Sequence, residues 1–283
     1  MKLSQAAAKV AVVDGRPEDE ALARTTHLGI AAHPDDLEIM AWHAIGACRG
    51  RDDRWFTAVV ASDGARSPRG GEYAGVSDDD MRALRLAEQK RAAELGEYAA
   101  VVALGFSSAA VRTPGNAQLT SDLIQVLRAC RPDVVYTHNP FDAHDTHVAV
   151  CLRAIEAIRE LPAEERPRAL YGCEVWRGLD WLVGEDRIAV DVSSARHAGL
   201  QQLAVYQSQI AGGKRYDLAT LGRKQANATF GDPGLVDQVT AVEYVVDLTR
   251  LVKERQLDIQ TFVKETIGRL ADDVSARLRR LLP

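Results

Sequence analysis

The sequence predicts an α/β protein with a Rossmann-like, three-layer α/β/α arrangement around a mostly parallel sheet. Short apolar runs alternate with helix-length segments at intervals of roughly 25–35 residues, the rhythm of successive βα units. Of the 283 residues, 46% are hydrophobic and 27% are charged, which is typical of a globular domain. No internal repeat or low-complexity segment interrupts the alternation.

Strands are predicted where short apolar runs are bounded by turn residues, and helices where longer segments lie between them. The predicted strands are 27–32, 55–61, 101–104, 134–137, 170–176 and 187–192. The predicted helices are 37–48, 78–95, 119–130, 147–161 and 194–209. Pro34 disfavours helix at His33 and so ends the first strand there. Ser77 can cap the second helix, and Gly96 can end it.

Three segments are expected along the chain. Residues 1–25 are Ala-rich and then charged, and we interpret them as an intracellular lead-in rather than a signal peptide. Residues 26–235 form the predicted catalytic domain, and 236–283 a helical extension. The extension has apolar residues at spacings of 4 and 3, which predict one long amphipathic helix. Its apolar stripe must bury against the sheet layer or a second subunit, and we predict a homo-oligomer through it.

Composition excludes several classes of protein. The net charge is −5 and no basic block is present, so no nucleic-acid partner is expected. No apolar run approaches the roughly 18 residues of a membrane span, and a cytoplasmic location is expected. The four cysteines form no CxxC pair, which predicts buried, reduced thiols rather than disulfides or a cysteine zinc site.

The chemistry-bearing residue types are concentrated just after the predicted strands. In parallel α/β sheets, ligands bind outside the carboxyl ends of the strands. His33-Pro34-Asp35-Asp36 follows the first strand, and the segment 138–147 follows the fourth. The second segment contributes His144 and His147, whose i, i+3 spacing lets both point to one place on a helical turn.

Imidazole and carboxylate groups together suit zinc, and a catalytic zinc needs three protein ligands and one open position. Ferrous iron also accepts such a ligand set. A phosphoesterase with two metals is an alternative, in which Asp35, Asp142 and Asp145 could hold the second ion. A non-catalytic nucleotide or sugar binder is disfavoured because no G-x-G-x-x-G follows the first strand.

The His33 to Asp36 turn, followed by Glu38, resembles the opening motif of the LmbE-like, or PIG-L-type, zinc-dependent N-deacetylase family (GlcNAc-PI de-N-acetylase-like). The resemblance covers roughly residues 26–232. Its other matching positions are Ser62-Asp63-Gly64, Arg85, Glu88, Ala92, Gly96, His144, His147, Asp191-Val192-Ser193 and Tyr206-Gln207-Ser208-Gln209.

The resemblance implies an LmbE-like fold and one zinc ion bound by His33, Asp36 and His147. It also implies that Asp35 is the general base and that His144 stabilises the oxyanion or protonates the leaving amine. The family commonly has H-P-D-H where this chain has His144-Asp145-Thr146-His147. Support of the second histidine would then fall to Asp142 or Asp145.

The sequence therefore predicts a hydrolase that removes an N-acyl group, of which acetyl is the first expectation, from an amino sugar or its conjugate. An amidase acting on a thiol or other non-sugar conjugate is the alternative. Arg66 and Arg69, in a glycine-rich loop, are candidates for binding an anionic or polyhydroxyl part of the substrate. His43 is a further candidate substrate contact. The segment 214–216 and Arg223 follow two glycines and are candidates for a mobile flap over the site, with a plain surface turn as the alternative.

Overall fold

The computed structural model describes residues 1–283. The strands are β1 (Lys9–Val12), β2 (His27–Ala31), β3 (Phe56–Ser62), β4 (Ala100–Phe106), β5 (Val134–His138), β6 (Ala169–Cys173), β7 (Ile188–Asp191) and β8 (Val242–Asp247). The helices are α1 (Glu18–Ala23), α2 (Asp36–Met40), α3 (Trp42–Cys48), α4 (Asp78–Gly96), α5 (Ser108–Val111), α6 (Ala117–Cys130), α7 (Asp145–Glu160), α8 (Arg196–Leu203), α9 (Gln207–Ile210), α10 (Tyr216–Thr229), α11 (Thr249–Lys253) and α12 (Ile259–Leu281).

The eight strands form a mostly parallel sheet in the order β1-β4-β3-β2-β5-β6-β8-β7. Strands β4, β3, β2, β5 and β6 are parallel neighbours and form its centre. Two strands run the other way: β1 is antiparallel to β4, and β8 is antiparallel to both β6 and β7, so β7 at the far edge has the direction of the centre. The predicted fold class is confirmed.

Both faces of the sheet are covered by helices, which gives the three layers. Leu28 and Ile30 of β2 enter one core together with residues of α6 and α7. Ala31 enters the opposite core with residues of α2 and α3. This alternation follows from the two-residue period of a strand, and it explains why the central strands are apolar on both faces.

The sheet takes strands from all three of the segments expected along the chain. The 1–25 segment contains β1, which pairs with β4. The 236–283 segment contains β8, whose Asp247 lies opposite Tyr171 of β6. Neither strand is predicted from the sequence, because β1 lies in an Ala-rich stretch and β8 lies in a segment assigned to helix. The long C-terminal helix itself is present as α12.

The predicted helix 37–48 is two helices, broken at Ala41. The break has a distant cause, because Glu243 of β8 accepts hydrogen bonds from the backbone amides of Trp42 (2.8 Å) and His43 (2.9 Å). Lys224 forms an ion pair with the same buried carboxylate. A strand late in the chain thus caps α3 and sets where the helix begins.

Two expectations from composition have structural counterparts. All four cysteines are buried and unpaired, as predicted. None of the helices combines the length and the apolar character needed to cross a bilayer.

Candidate metal centre and active site

The turn after β2 has a strained backbone at Asp35. This residue has φ +91°, in the left-handed region that residues other than glycine seldom adopt. Arg85 of α4, whose side chain is 1% exposed, holds the turn. Its Nη2 donates to Asp35 Oδ2 at 2.7 Å and also to the Pro34 carbonyl. The other oxygen of Asp35, Oδ1, accepts no hydrogen bond within the protein.

The start of α7 fixes the orientation of the two histidines that lie three residues apart. His144 Nδ1 accepts from the Thr146 amide at 3.2 Å, so a neutral His144 carries its proton on Nε2. His147 Nδ1 lies 2.9 Å from Asp142 Oδ2 and donates to that carboxylate, which leaves the Nε2 lone pair free. The carboxylate that supports His147 is thus Asp142, whereas Asp145 is exposed.

Three potential ligand residues from the two segments meet at one point, and Asp36 faces the two histidines with different oxygens. His33 Nδ1 lies 3.2 Å from Asp36 Oδ2 and 3.2 Å from His147 Nε2. His147 Nε2 lies 3.4 Å from Asp36 Oδ1. Ligand atoms bound at 2.0–2.1 Å in a tetrahedral zinc site stand about 3.3–3.4 Å apart. The donor types and their spacing therefore fit one zinc ion.

His138, at the end of β5, is a fourth imidazole near this point. Its Nε2 lies 3.2 Å from Asp36 Oδ2, and its ring stacks on His147 with centroids 3.9 Å apart. The Ala32 amide also lies 3.0 Å from Nε2, and the side chain is fully buried. His138 therefore packs behind Asp36, although it shares a possible metal-binding cluster with Asp36 and His147.

The surroundings of the cluster shift the pKa values of the two adjacent aspartates in opposite directions. Burial opposes ionisation of Asp36, but His147 and His33 hold its pKa well below the usual range. Burial raises the pKa of Asp35 to about 7, although Arg85 acts in the opposite direction. Burial, with His147 and His33 nearby, lowers the pKa of His144. Asp36 is suited to remain anionic, whereas Asp35 is suited to exchange a proton near neutral pH.

The cluster lies on the wall of a cavity of about 420 Å³. Four cationic side chains line it: Arg85, which is bound to Asp35, and Arg66, Arg112 and Lys214. Arg112 donates to Thr146 Oγ1 at 3.3 Å, and Lys214 Nζ lies 5.2 Å from the ring centre of Trp176. The Trp176 ring is nearly parallel to that of His144, with centroids 6.2 Å apart. The cavity thus combines a cationic lining with an accessible aromatic face.

The structure places most of the expected site residues around this cavity. Those that line it are His33, Asp35, Asp36, His144, His147 and Arg66. Arg69 instead donates to the Ala65 carbonyl and to Asp78, both at 2.6 Å. His43 lies in α3 with its ring 6.1 Å from that of Tyr136, outside the cavity.

Sequence reasoning missed two cavity residues, Arg112 and Trp176. Trp176 is the last residue of the predicted strand 170–176, and its place at a carboxyl end was an available signal. Arg112 follows the short helix α5 and has no such signal. Lys214 and Tyr216, from the expected flap segment, do line the cavity.

Glu38, which belongs to the first motif, has a structural role. Its carboxylate is fully buried and accepts hydrogen bonds from Gln89 Nε2 (2.9 Å), Tyr98 OH (2.8 Å) and Tyr206 OH (2.8 Å). These donors come from α4 and from the segments before β4 and α9. Glu38 therefore ties the helix after the Asp35 turn to three distant parts of the chain.

Residues 28–158 match the family model of PIG-L, GlcNAc-PI de-N-acetylase. The resemblance is thereby confirmed, and the chain carries a PIG-L family domain. The matched segment contains both the turn after β2 and the His144–His147 pair. No curated protein sequence matches the chain.

Solved structures share the fold at low sequence identity. The conserved protein TT1542 from Thermus thermophilus is 19% identical with a TM-score of 0.62, over 79% of this chain and 94% of that one. The N,N'-diacetylchitobiose deacetylase from Pyrococcus horikoshii is 18% identical with a TM-score of 0.63, over 81% and 85%. GalB, a 4-carboxy-2-hydroxymuconate hydratase from Pseudomonas putida, is 16% identical with a TM-score of 0.58, over 79% and 96%. The shared fold thus occurs in both a deacetylase and a hydratase.

Proposed function

We propose that the protein is a zinc-dependent hydrolase that removes an N-acyl group, in the first instance acetyl, from an amino sugar or its conjugate. The observation that carries the proposal is the convergence of His33, Asp36 and His147 within 3.4 Å of one another, with Asp35 on the same cavity. The PIG-L family match and the deacetylase among the structural neighbours support this reaction class.

His33, Asp36 and His147 would hold the metal, and Fe²⁺ suits the same ligands. Bound there, zinc supplies Lewis acidity, which polarises an amide carbonyl and lowers the pKa of water towards neutrality. Asp142 keeps His147 in the tautomer that a ligand needs, through its 2.9 Å contact with Nδ1.

Asp35 is the proposed general base. It lines the cavity, Arg85 fixes its Oδ2, and its Oδ1 is left to accept the proton of the attacking water. Burial raises its pKa to about 7, which favours both taking up that proton and passing it to the leaving amine. The Asp35 carboxylate binds Arg85, whereas that of Asp36 contacts His33 and His147, so the adjacent carboxylates serve different tasks.

His144 is the proposed partner for the charge that develops on the amide oxygen. The Thr146 amide occupies Nδ1, so the neutral ring presents Nε2–H as a donor. A fixed donor aimed at a developing oxyanion stabilises the transition state more than the ground state.

The cavity lining favours substrates that carry an anionic group beside the acylated amine. Arg112 and Lys214 form no ion pair with any carboxylate of the protein, and Arg66 approaches Asp78 only at 3.9 Å. These cations are therefore available to a phosphate or a carboxylate. The Trp176 ring offers an apolar face for packing against a sugar ring.

The test is an amine-release screen with zinc-loaded and iron-loaded protein. Substrates would include neutral N-acetyl amino sugars, their phosphate and carboxylate conjugates, and N-acylated thiol conjugates. Asp35→Asn and His144→Ala should each lower kcat on the order of 10²-fold or more while keeping bound metal. Asp145→Asn, which changes an exposed carboxylate in the same motif, is the matched control and should keep full activity.

Two results would overturn the proposal. Unchanged kcat in both Asp35→Asn and His144→Ala would remove the assigned roles. Absence of amine release from every substrate by protein with a full metal complement would reject the N-deacylase assignment and favour another reaction on this fold.

A further inference from the structure

The C-terminal helix α12 is docked on the protein over only its first half. Phe262 and Thr266 are buried, and Ile259 and Val263 pack against the core. Arg269 makes the last anchoring contact, with Nη2 2.9 Å from Asp186 Oδ1. No hydrogen bond or ion pair joins the residues after Arg269 to the rest of the protein.

An apolar stripe nevertheless begins beside the last anchoring contact and continues through the undocked half. Its members are Ile267, Leu270, Val274, Leu278 and Leu281. Four of them, all except Leu270, are 43–76% exposed. At about 100° per residue, all five lie within about 40° of the direction of Val274. A continuous exposed stripe of this kind is unfavourable in water and indicates a partner.

The spacing of the stripe indicates which partner. On each side of Val274, the next apolar residue of the stripe lies four residues away, and the one after that lies three residues further. Two copies that run antiparallel about a two-fold axis at Val274 therefore place Val274 against itself. The same axis places Leu270 against the partner's Leu278, and Ile267 against the partner's Leu281. A surface that is complementary to itself is what a two-fold dimer requires.

We propose that residues 267–281 form an antiparallel helix pair with the same segment of a second copy of this chain. The charges on the flanks agree with this arrangement. Asp273 and Arg277 lie on one flank of the stripe, and antiparallel helices bring that flank against its own copy. Each Asp273 then lies within about 3 Å along the axis of the partner's Arg277, given the 1.5 Å rise per residue. The opposite flank carries Ala271 and Ser275, so no like charges face each other there.

A parallel pair is disfavoured by the docked half of the helix. Both domains would then lie at the same end of the pair and compete for space beside Phe262. An anionic lipid surface is a poorer partner, because Asp272 and Asp273 lie among the basic residues of this segment. The contact is one helix wide, so it falls at the small end of stable interfaces, and we expect a dissociation constant in the micromolar range.

Sedimentation of the full chain tests the interface. The wild type should shift from the mass of one 30.9 kDa chain towards twice that mass as its concentration rises through the micromolar range. Val274→Asp places two like charges at the two-fold axis and should weaken the dimer by at least about tenfold. Ala276→Asp adds the same charge to the opposite face of α12 and is the matched control. A wild type that stays monomeric at about 100 μM would overturn the proposal, whether or not it binds anionic vesicles.

Cysteine cross-linking tests the orientation, and the four natural cysteines are all buried and give little background. Under a mild oxidant, Val274→Cys should form a disulfide-linked dimer, whereas Ala276→Cys should not. A mixture of Leu270→Cys and Leu278→Cys proteins should cross-link faster than either protein alone. Faster cross-linking of either protein with itself would indicate a parallel pair and would reject the antiparallel arrangement.

Discussion

Replacing Arg85 with methionine should destabilise the protein by removing the one cation that holds the Asp35 turn. Arg85 Nη2 donates to Asp35 Oδ2 at 2.7 Å, and Nη1 donates to Glu88 Oε2 at 3.1 Å. Methionine keeps most of the length of the side chain but supplies neither charge nor donor. The substitution also frees the Pro34 carbonyl, so the left-handed backbone at Asp35 loses its support.

The contacts that remain set the size of the effect. Breaking a buried ion pair by removing one partner costs about 3–5 kcal/mol. Glu88 keeps the Ser208 amide and hydroxyl, both at 2.7 Å, so most of the loss falls on Asp35. Asp35 can take up a proton once Arg85 is absent, so we expect the lower end, about 3 kcal/mol. At about 2–4 °C per kcal/mol, the melting temperature should fall by roughly 6–12 °C.

Thermal and urea unfolding of three variants would measure this. Arg82→Met is the matched control on α4, because Arg82 pairs with Asp63 and Asp79 nearer the solvent and should cost about 1 kcal/mol or less. Adding Asp35→Asn to Arg85→Met should recover part of the stability by removing the unpaired carboxylate. A loss below about 1 kcal/mol in Arg85→Met, or no recovery in the double variant, would refute the reasoning.

Three further pairs of substitutions have distinct expected outcomes. His147→Ala should abolish metal binding, and Asp142→Asn should weaken it by about 10–100-fold, measured by elemental analysis and chelator competition. Arg112→Ala should raise KM for an anionic substrate more than it lowers kcat, whereas Arg69→Ala, outside the cavity, should change KM by less than about twofold. Glu38→Leu leaves three buried donors unpaired and should cost about 3 kcal/mol or more in urea unfolding, and Glu38→Gln, which keeps an acceptor, should cost less. Full metal in His147→Ala, equal KM in both arginine variants, or equal stability of the two Glu38 variants would contradict the respective assignment.

The centre of the sheet could be predicted because its strands are local apolar runs with clear turn residues at their ends. The convergence of the His33 and His147 segments could also be predicted, since both follow parallel strands of one sheet and must meet at its carboxyl edge. Strand β1 could not be identified in the same way. Its four residues lie in an Ala-rich stretch that favours helix locally, and pairing with β4 overrides that preference.

Features set by distant contacts were beyond sequence reasoning. The break between α2 and α3 depends on Glu243, about two hundred residues further along the chain. The direction in which each loop arginine points is also set by contacts outside the loop. Arg66 and Arg69 are alike in sequence, yet Asp78 draws Arg69 away while Arg66 lines the cavity. The choice between Asp142 and Asp145 as the support of His147 depended on which carboxylate the turn before α7 places against the ring.

The arrangement of the outer strands has a consequence for any shortened version of this protein. The segment recognisable as PIG-L, 28–158, contains the strands β3, β4 and β5 and nearly all of β2. In the whole chain, β1 covers the outer edge of β4, and β6 covers that of β5. Excision of the recognisable segment would leave both edges with unpaired amides and carbonyls, which invite further strands to add. The segment that carries the proposed metal ligands is therefore smaller than the part of the chain in which the central strands are paired on both sides, and expression boundaries should follow the sheet rather than the motif.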